Sequence, residues 1–157
     1  MGDQLNPVAR LADLPLKRRD LEPGLGADET NVSRALGLTH LGASYFEVRP
    51  GESAFPFHVH YLEDELIVIL SGQGTYRFGT ESHAVQQGDV LSAPAGRADV
   101  AHQLTNSGTE PLKYVCVSSA SETNVVELPE RGVLRVANRK PGGPALVELK
   151  KPAETAS

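Results

Sequence analysis

Between Leu38 and Ser119 turn signals interrupt the chain every few residues, which leaves no room for a long helix. The run "SYFEV" is closed by Pro50-Gly51, "ELIVIL" by Ser71-Gly72, "TYRF" by Gly79-Thr80, "HAVQQ" by Gly88-Asp89, "VLSAP" by Gly96 and "AHQLT" by Asn106-Ser107-Gly108; "LKYVCVS" follows. Each run is rich in β-branched and aliphatic residues, and none carries a helical period. Short strands at such regular spacing predict an all-β architecture, an antiparallel barrel or sandwich. The only helix-compatible segment lies around Asn31 to Leu36.

The flanks read differently. Pro7, Pro15, Pro23, Gly24 and Gly26 punctuate a polar beginning, which predicts an extended N-terminal arm over residues 1–36 with one short strand. A single barrel domain is expected over 37–150, with 151–157 a frayed tail. At 157 residues one core is affordable and two are not. Fifteen Lys and Arg against 20 Asp and Glu give a net charge of -5. With no basic run beyond Lys17-Arg18-Arg19, nucleic acid and anionic membrane are poor partners. The longest apolar stretch, Leu66 to Leu70, is far short of the ~20 residues that span a bilayer. The lone Cys116 cannot form an internal disulfide, and the first residues carry no apolar signal core, so a soluble, cytoplasmic protein is expected.

Chemistry concentrates in "FPFHVHYLEDELIVILSG". Successive strand residues face opposite ways, so His58 and His60 share a face while Val59 turns from it. Tyr61 to Asp64 reads as a turn, and Glu65 opens the next strand. Within that strand Ile67 and Ile69 share the face of Glu65, and Leu66, Val68 and Leu70 take the other, which predicts burial on both sides. A carboxylate there is costly unless paired or bound to a cation. Two imidazoles and a carboxylate across a hairpin match a first-row transition metal, although alternate histidines on an exposed strand ordinarily just face water. His40 and His83 have no spacing partner. Cys116 reads as a small core residue. Asp64 is open to two readings, an acceptor for a ligand imidazole or a turn residue.

These residues resemble the cupin superfamily, in particular its small stand-alone bacterial members. Its first motif runs Gly, five residues, His-x-His, three or four residues, Glu, six residues, Gly; here Gly51, His58, His60, Glu65 and Gly72 follow it with one extra residue in the first gap. In the second, Gly88, Pro94, Gly96, His102 and Asn106 follow the pattern with five residues rather than two before the histidine. The resemblance implies a double-stranded β-helix, a small jelly-roll barrel, holding one divalent metal (Mn, Fe, Co, Ni or Zn) on His58, His60, Glu65 and His102. Asp99 occupies the unshifted position of the last ligand. His102 is preferred because its spacing to Asn106 is intact and a loop insertion leaves "HQLTN" in register.

Four donors leave open positions on a metal that takes five or six ligands, so the resemblance implies small oxygen-chelating ligands: sugars, sugar phosphates, hydroxy or keto acids. A metal-dependent isomerase, lyase or dioxygenase is the leading expectation, and a non-catalytic binding or sensor protein the alternative. A phosphorylated substrate would need cations near the metal, for which Arg49, Arg77, Arg97 and Lys113 are candidates. Exposed strand edges and the Pro-rich arm predict a homodimer in which the arm pairs with a neighbour's edge.

Overall fold

The computed structural model describes residues 6–138 and 146–150, so the expected tail at 151–157 and the first five residues of the arm lie outside the described residues. The elements are β1 (Lys17–Glu22), β2 (Leu25–Asn31), α1 (Val32–Ala35), β3 (Leu41–Val48), β4 (Val59–His60), β5 (Glu65–Ser71) and β6 (Gln73–Phe78). There follow β7 (Glu81–Gln86), β8 (Val90–Ala93), β9 (His102–Asn106), β10 (Leu112–Ser119), β11 (Thr123–Leu128), β12 (Val133–Asn138) and β13 (Leu146–Lys150). All of the strand pairings are antiparallel.

Six strands form one wall in the order β1-β2-β3-β10-β5-β8. Opposite it lie β13-β12-β11-β4 and β7-β6-β9. These two smaller sheets are joined by a single bridge, in which His58 N donates to His102 O (3.0 Å) and His102 N to His58 O (2.7 Å). The result is the expected double-stranded β-helix. Its core is the inward row of both walls, centred on Val48, Ile69 and Leu112 with Phe46, Leu104 and Tyr114 around them. Val59 turns the other way, into a small cluster with Phe57 and Ala101. Gly72 closes the β5–β6 turn at φ +89°, and a Cβ there would meet Pro111 O at 2.8 Å, so only glycine fits.

Two expectations change. Residues 17–31, read as an arm with one short strand, form a hairpin whose β2 pairs with the chain's own β3 from Asp28↔Glu47 to Asn31↔Ser44. The charges punctuating this segment are satisfied locally: Arg18 reaches Glu52 (2.9 Å) and Asp28 (3.7 Å). Nor is β5 buried on both sides. Ile67 and Ile69 are 5% and 1% exposed, but Leu66 and Leu70 are 45% and 37% exposed on the outer face of the wall.

Candidate metal centre

The narrow seam between the two smaller sheets carries three imidazoles. His58 and His102 face each other across the bridge with ring centroids 4.4 Å apart, and His60 stands 5.0 Å from His58. Strand β4 is held by β11, through Val126↔His60 and Glu127↔Val59. Glu65 arrives from the opposite wall, where it is the first residue of β5, between Ala93 of β8 and Ser118 of β10. One donor atom from each of His58, His60, Glu65 and His102 lies within 4.8 Å of the others. Glu65 Oε2 is 3.4 Å from His60 Nε2 and 3.3 Å from His102 Nε2.

The two turns feeding this cluster are tied together. Gly96 N donates to His60 O (2.9 Å), and Ala95 N donates to Asp64 Oδ1 (2.7 Å). Asp64 is thus the turn residue of its two readings, binding the Pro94-Ala95-Gly96 turn to the first. The extra residues before His102 are absorbed by a 3-10 turn, Ala98–Val100, and β9 starts in register. Asp99 lies in that turn and lines a separate cleft with Phe57, Arg77 and Glu130. His40 and His83 are both exposed and stand outside the cluster.

Burial and mutual proximity set the protonation of the group. Burial, reinforced by His102 and His60, drives the His58 imidazole down to about 3, so it is neutral. For His60 burial pulls the same way, but hydrogen bonding and charge from Glu65 outweigh it and the pKa is raised. Burial alone would raise Glu65; hydrogen bonds from His102 and His60 prevail and hold it well below the carboxylate range. The centre is therefore an ionised carboxylate among imidazoles. Metal bonds of ~2.1 Å place adjacent donors about 3.0 to 3.4 Å apart, and the distances from Glu65 to His60 and His102 match that spacing. The imidazole of His58 is also oriented for it, with Nδ1 bonded to Pro56 O (2.8 Å) and Nε2 turned inward. His102 Nδ1 is buried without a hydrogen-bond partner.

The cluster opens into a cavity of about 810 Å³, lined by the apolar Phe46, Phe55, Ile67 and Leu128 and by the polar Ser44, Ser118 and Gln103. Glu65 is the one carboxylate among the described lining residues. Cys116 also faces inward, where burial and then Glu65 push its thiol far up and keep it protonated. The four candidate cations are not among the residues that line the cavity. Arg49 faces Asp28 (3.8 Å), Arg77 stacks on Phe57 (3.8 Å) and reaches Glu130 (2.6 Å), Arg97 lies over Tyr61 (5.5 Å), and Lys113 pairs with Glu47 (3.0 Å). The guanidinium groups that do line the cavity are Arg19, Arg34 and Arg135. Arg19 is spent on Glu29 (2.9 Å) and Ala54 O (3.1 Å), and Arg135 on Glu148 (3.0 Å). Arg34, on α1, is exposed and makes no side-chain ion pair or hydrogen bond among the described residues.

Sequence reading also missed Asn124, whose Nδ2 lies 2.9 Å from His60 Nδ1. Its signal was "TNVVELPERGVLRV", two β-branched runs around a Pro-Glu-Arg-Gly turn, which is a hairpin pattern.

Comparison with known proteins agrees with this fold. The family model for the cupin domain matches residues 44–118. A solved structure from Acidithiobacillus ferrooxidans, described as a candidate sugar phosphate isomerase, is 24% identical with a TM-score of 0.79, covering 89% of this chain and 87% of that one. One from Silicibacter pomeroyi, described as a sugar phosphate isomerase from a cupin superfamily, is 21% identical with a TM-score of 0.78 over 92% and 93% of the two chains. A predicted oxalate decarboxylase from Thermotoga maritima is 21% identical with a TM-score of 0.62 over 73% and 99%. A search among curated proteins gave no match. With both motifs, the barrel and the domain match in place, residues 44–118 form a cupin domain.

Proposed function

We propose that the protein is a metal-dependent enzyme of the isomerase type acting on a small phosphorylated sugar, with His58, His60, Glu65 and His102 holding one divalent transition metal. The observation that carries the reading is the convergence of the four donors at the floor of an open cavity whose lining also holds an uncommitted guanidinium, Arg34. When bound, such a metal polarises a carbonyl or hydroxyl oxygen of the substrate. The chain's own residues do the rest. His58, fixed by Pro56, keeps a lone pair directed inward; Ser44, Ser118 and Gln103 offer hydrogen bonds to sugar hydroxyls; Arg34 supplies the charge that a phosphate needs. Two of the similar structures are described as sugar phosphate isomerases, which supports the choice of substrate.

The test is elemental analysis of protein purified without an affinity tag, followed by assay of aldose and ketose phosphates for interconversion before and after chelation. Stoichiometric metal and chelator-sensitive turnover are expected. Protein that takes up none of Mn, Fe, Co, Ni or Zn overturns the metal; metal without turnover, but with ligand-dependent thermal shifts, favours the non-catalytic binding protein. The outer face of the six-stranded wall exposes Leu41, Leu66, Leu70 and Val90, an apolar surface that supports a homodimer. Light scattering giving a 16.8 kDa species would refute the dimer.

A further inference from the structure

We propose that Asn124 is a positioning residue for the metal, acting by deciding which nitrogen of His60 carries the proton. This rests on reading the cluster as a metal site. Asn124 is 5% exposed on β11, the strand that pairs with β4, and its amide reaches His60 Nδ1 at 2.9 Å through Nδ2. An Nδ2–H donating to Nδ1 requires a lone pair there, so the imidazole proton sits on Nε2, 3.4 Å from Glu65 Oε2. The arrangement is self-consistent without metal, but it cannot ligate, because the lone pair of Nε2 is what binds.

A half-turn of the amide exchanges its oxygen and nitrogen. Oδ1 then accepts from His60 Nδ1–H, and the Nε2 lone pair is released toward the other three donors. In the present orientation Oδ1 is buried with no hydrogen-bond partner, so the turn leaves the number of unpartnered amide atoms unchanged. For neither neighbour does a side-chain amide set the tautomer. His58 is held in its ligating form by the Pro56 carbonyl, which can only accept, and His102 Nδ1 has no partner to set it. Asn124 is the one side chain among the described residues that hydrogen-bonds the outer nitrogen of a cluster imidazole. The consequence is that metal uptake and the orientation of this amide are the same event.

The experiment is nitrogen-15 NMR of histidine-labelled protein, without metal and with Zn²⁺, together with Zn²⁺ affinities by chelator competition for wild type, Asn124→Leu and Asn124→Asp. His60 should carry its proton on Nε2 without metal and on Nδ1 with it. Asn124→Leu should weaken Zn²⁺ about 10- to 100-fold. Asn124→Asp, which can only accept, should hold His60 in the Nδ1–H form even without metal and bind Zn²⁺ at least as tightly as wild type. A merely packing role predicts that Asp does as badly as Leu, and that result overturns the proposal. So does Zn²⁺ affinity indifferent to Asn124→Leu, or a His60 proton that stays on Nε2 with metal bound; should the Leu variant not fold, the Asp variant and the wild-type spectra decide. A wild type that takes up none of the five metals defeats the metal reading and this proposal with it, whereas metal uptake insensitive to Asn124 defeats this proposal alone.

Discussion

Asn106 and Asn124 are both buried in the barrel wall, 0% and 5% exposed, and they are finished in opposite ways. Asn106 donates through Nδ2 to Val48 O and Glu110 O, both at 2.8 Å, and accepts from Gly108 N at 2.9 Å, so its amide is fully used. Asn124 keeps an unpartnered oxygen. The two mark the two ends of one interior. Strand β9 runs from His102 at the open end to Asn106 at the closed one, and β5 from Glu65 toward Ile69. At the closed end apolar packing and satisfied polar groups hold the walls together. At the open end His102 Nδ1 and Asn124 Oδ1 lack partners and a carboxylate stands among imidazoles. Stability is concentrated at one end, and unspent binding capacity at the other.

The largest effect should come from the closed end. Ile69→Ala, at 1% exposure, should cost about 2 to 5 kcal/mol in urea unfolding; a loss below ~1 kcal/mol would mean that this end is not what holds the barrel. Asn106→Leu should come next, at roughly 1 to 3 kcal/mol, because it strands two buried carbonyls. At the open end the effect is on metal and pH rather than on the fold. His58→Ala should abolish stoichiometric metal while changing metal-free stability by less than ~1 kcal/mol, since the protein loses a desolvated imidazole that bonds one backbone carbonyl.

Metal-free wild type should be most stable near pH 6.5. Acidification from there toward 3 protonates His58 in the unfolded chain but not in the folded one, so stability falls, by at most about 1.4 kcal/mol per pH unit from this group. Glu65 adds to the loss below 4.5, its ordinary value. His60, raised by Glu65, contributes stability that is present below 6.5 and fades as the pH rises beyond it. Thermal melts across pH 3 to 9 check this, and a His58→Ala profile as steep as wild type between 6.5 and 4.5 would contradict it. The smallest effect belongs to the outer face, where Leu66→Gln should shift monomer stability by no more than ~0.5 kcal/mol while weakening self-association in sedimentation.

How much of this was legible follows from how local each signal is. Strand parity put His58 and His60 on one face, and the turn after His60 brought Glu65 back toward them, all within eight residues. The barrel's strands from β3 to β10 were likewise punctuated by their own turns. Parity does not say which face meets water, and that is why the outer row of β5 read as buried: Leu66, Val68 and Leu70 are as apolar as the inner row, but no layer covers them. The β1–β2 hairpin was hidden by a polar sequence punctuated with Pro and Gly, whose charges pair across strands, as Arg19 does with Glu29. Asn124 was out of reach for another reason. Its partner His60 is 64 residues earlier, and the contact exists only because β11 closes on β4.

The seam between the two smaller sheets is thinly stitched. Its backbone link is one reciprocal pair of hydrogen bonds, between His58 and His102, whereas β10 and β3 are bonded along eight residue pairs. A metal held by both rings would therefore cross-link the two sheets at the place where their backbones meet only once.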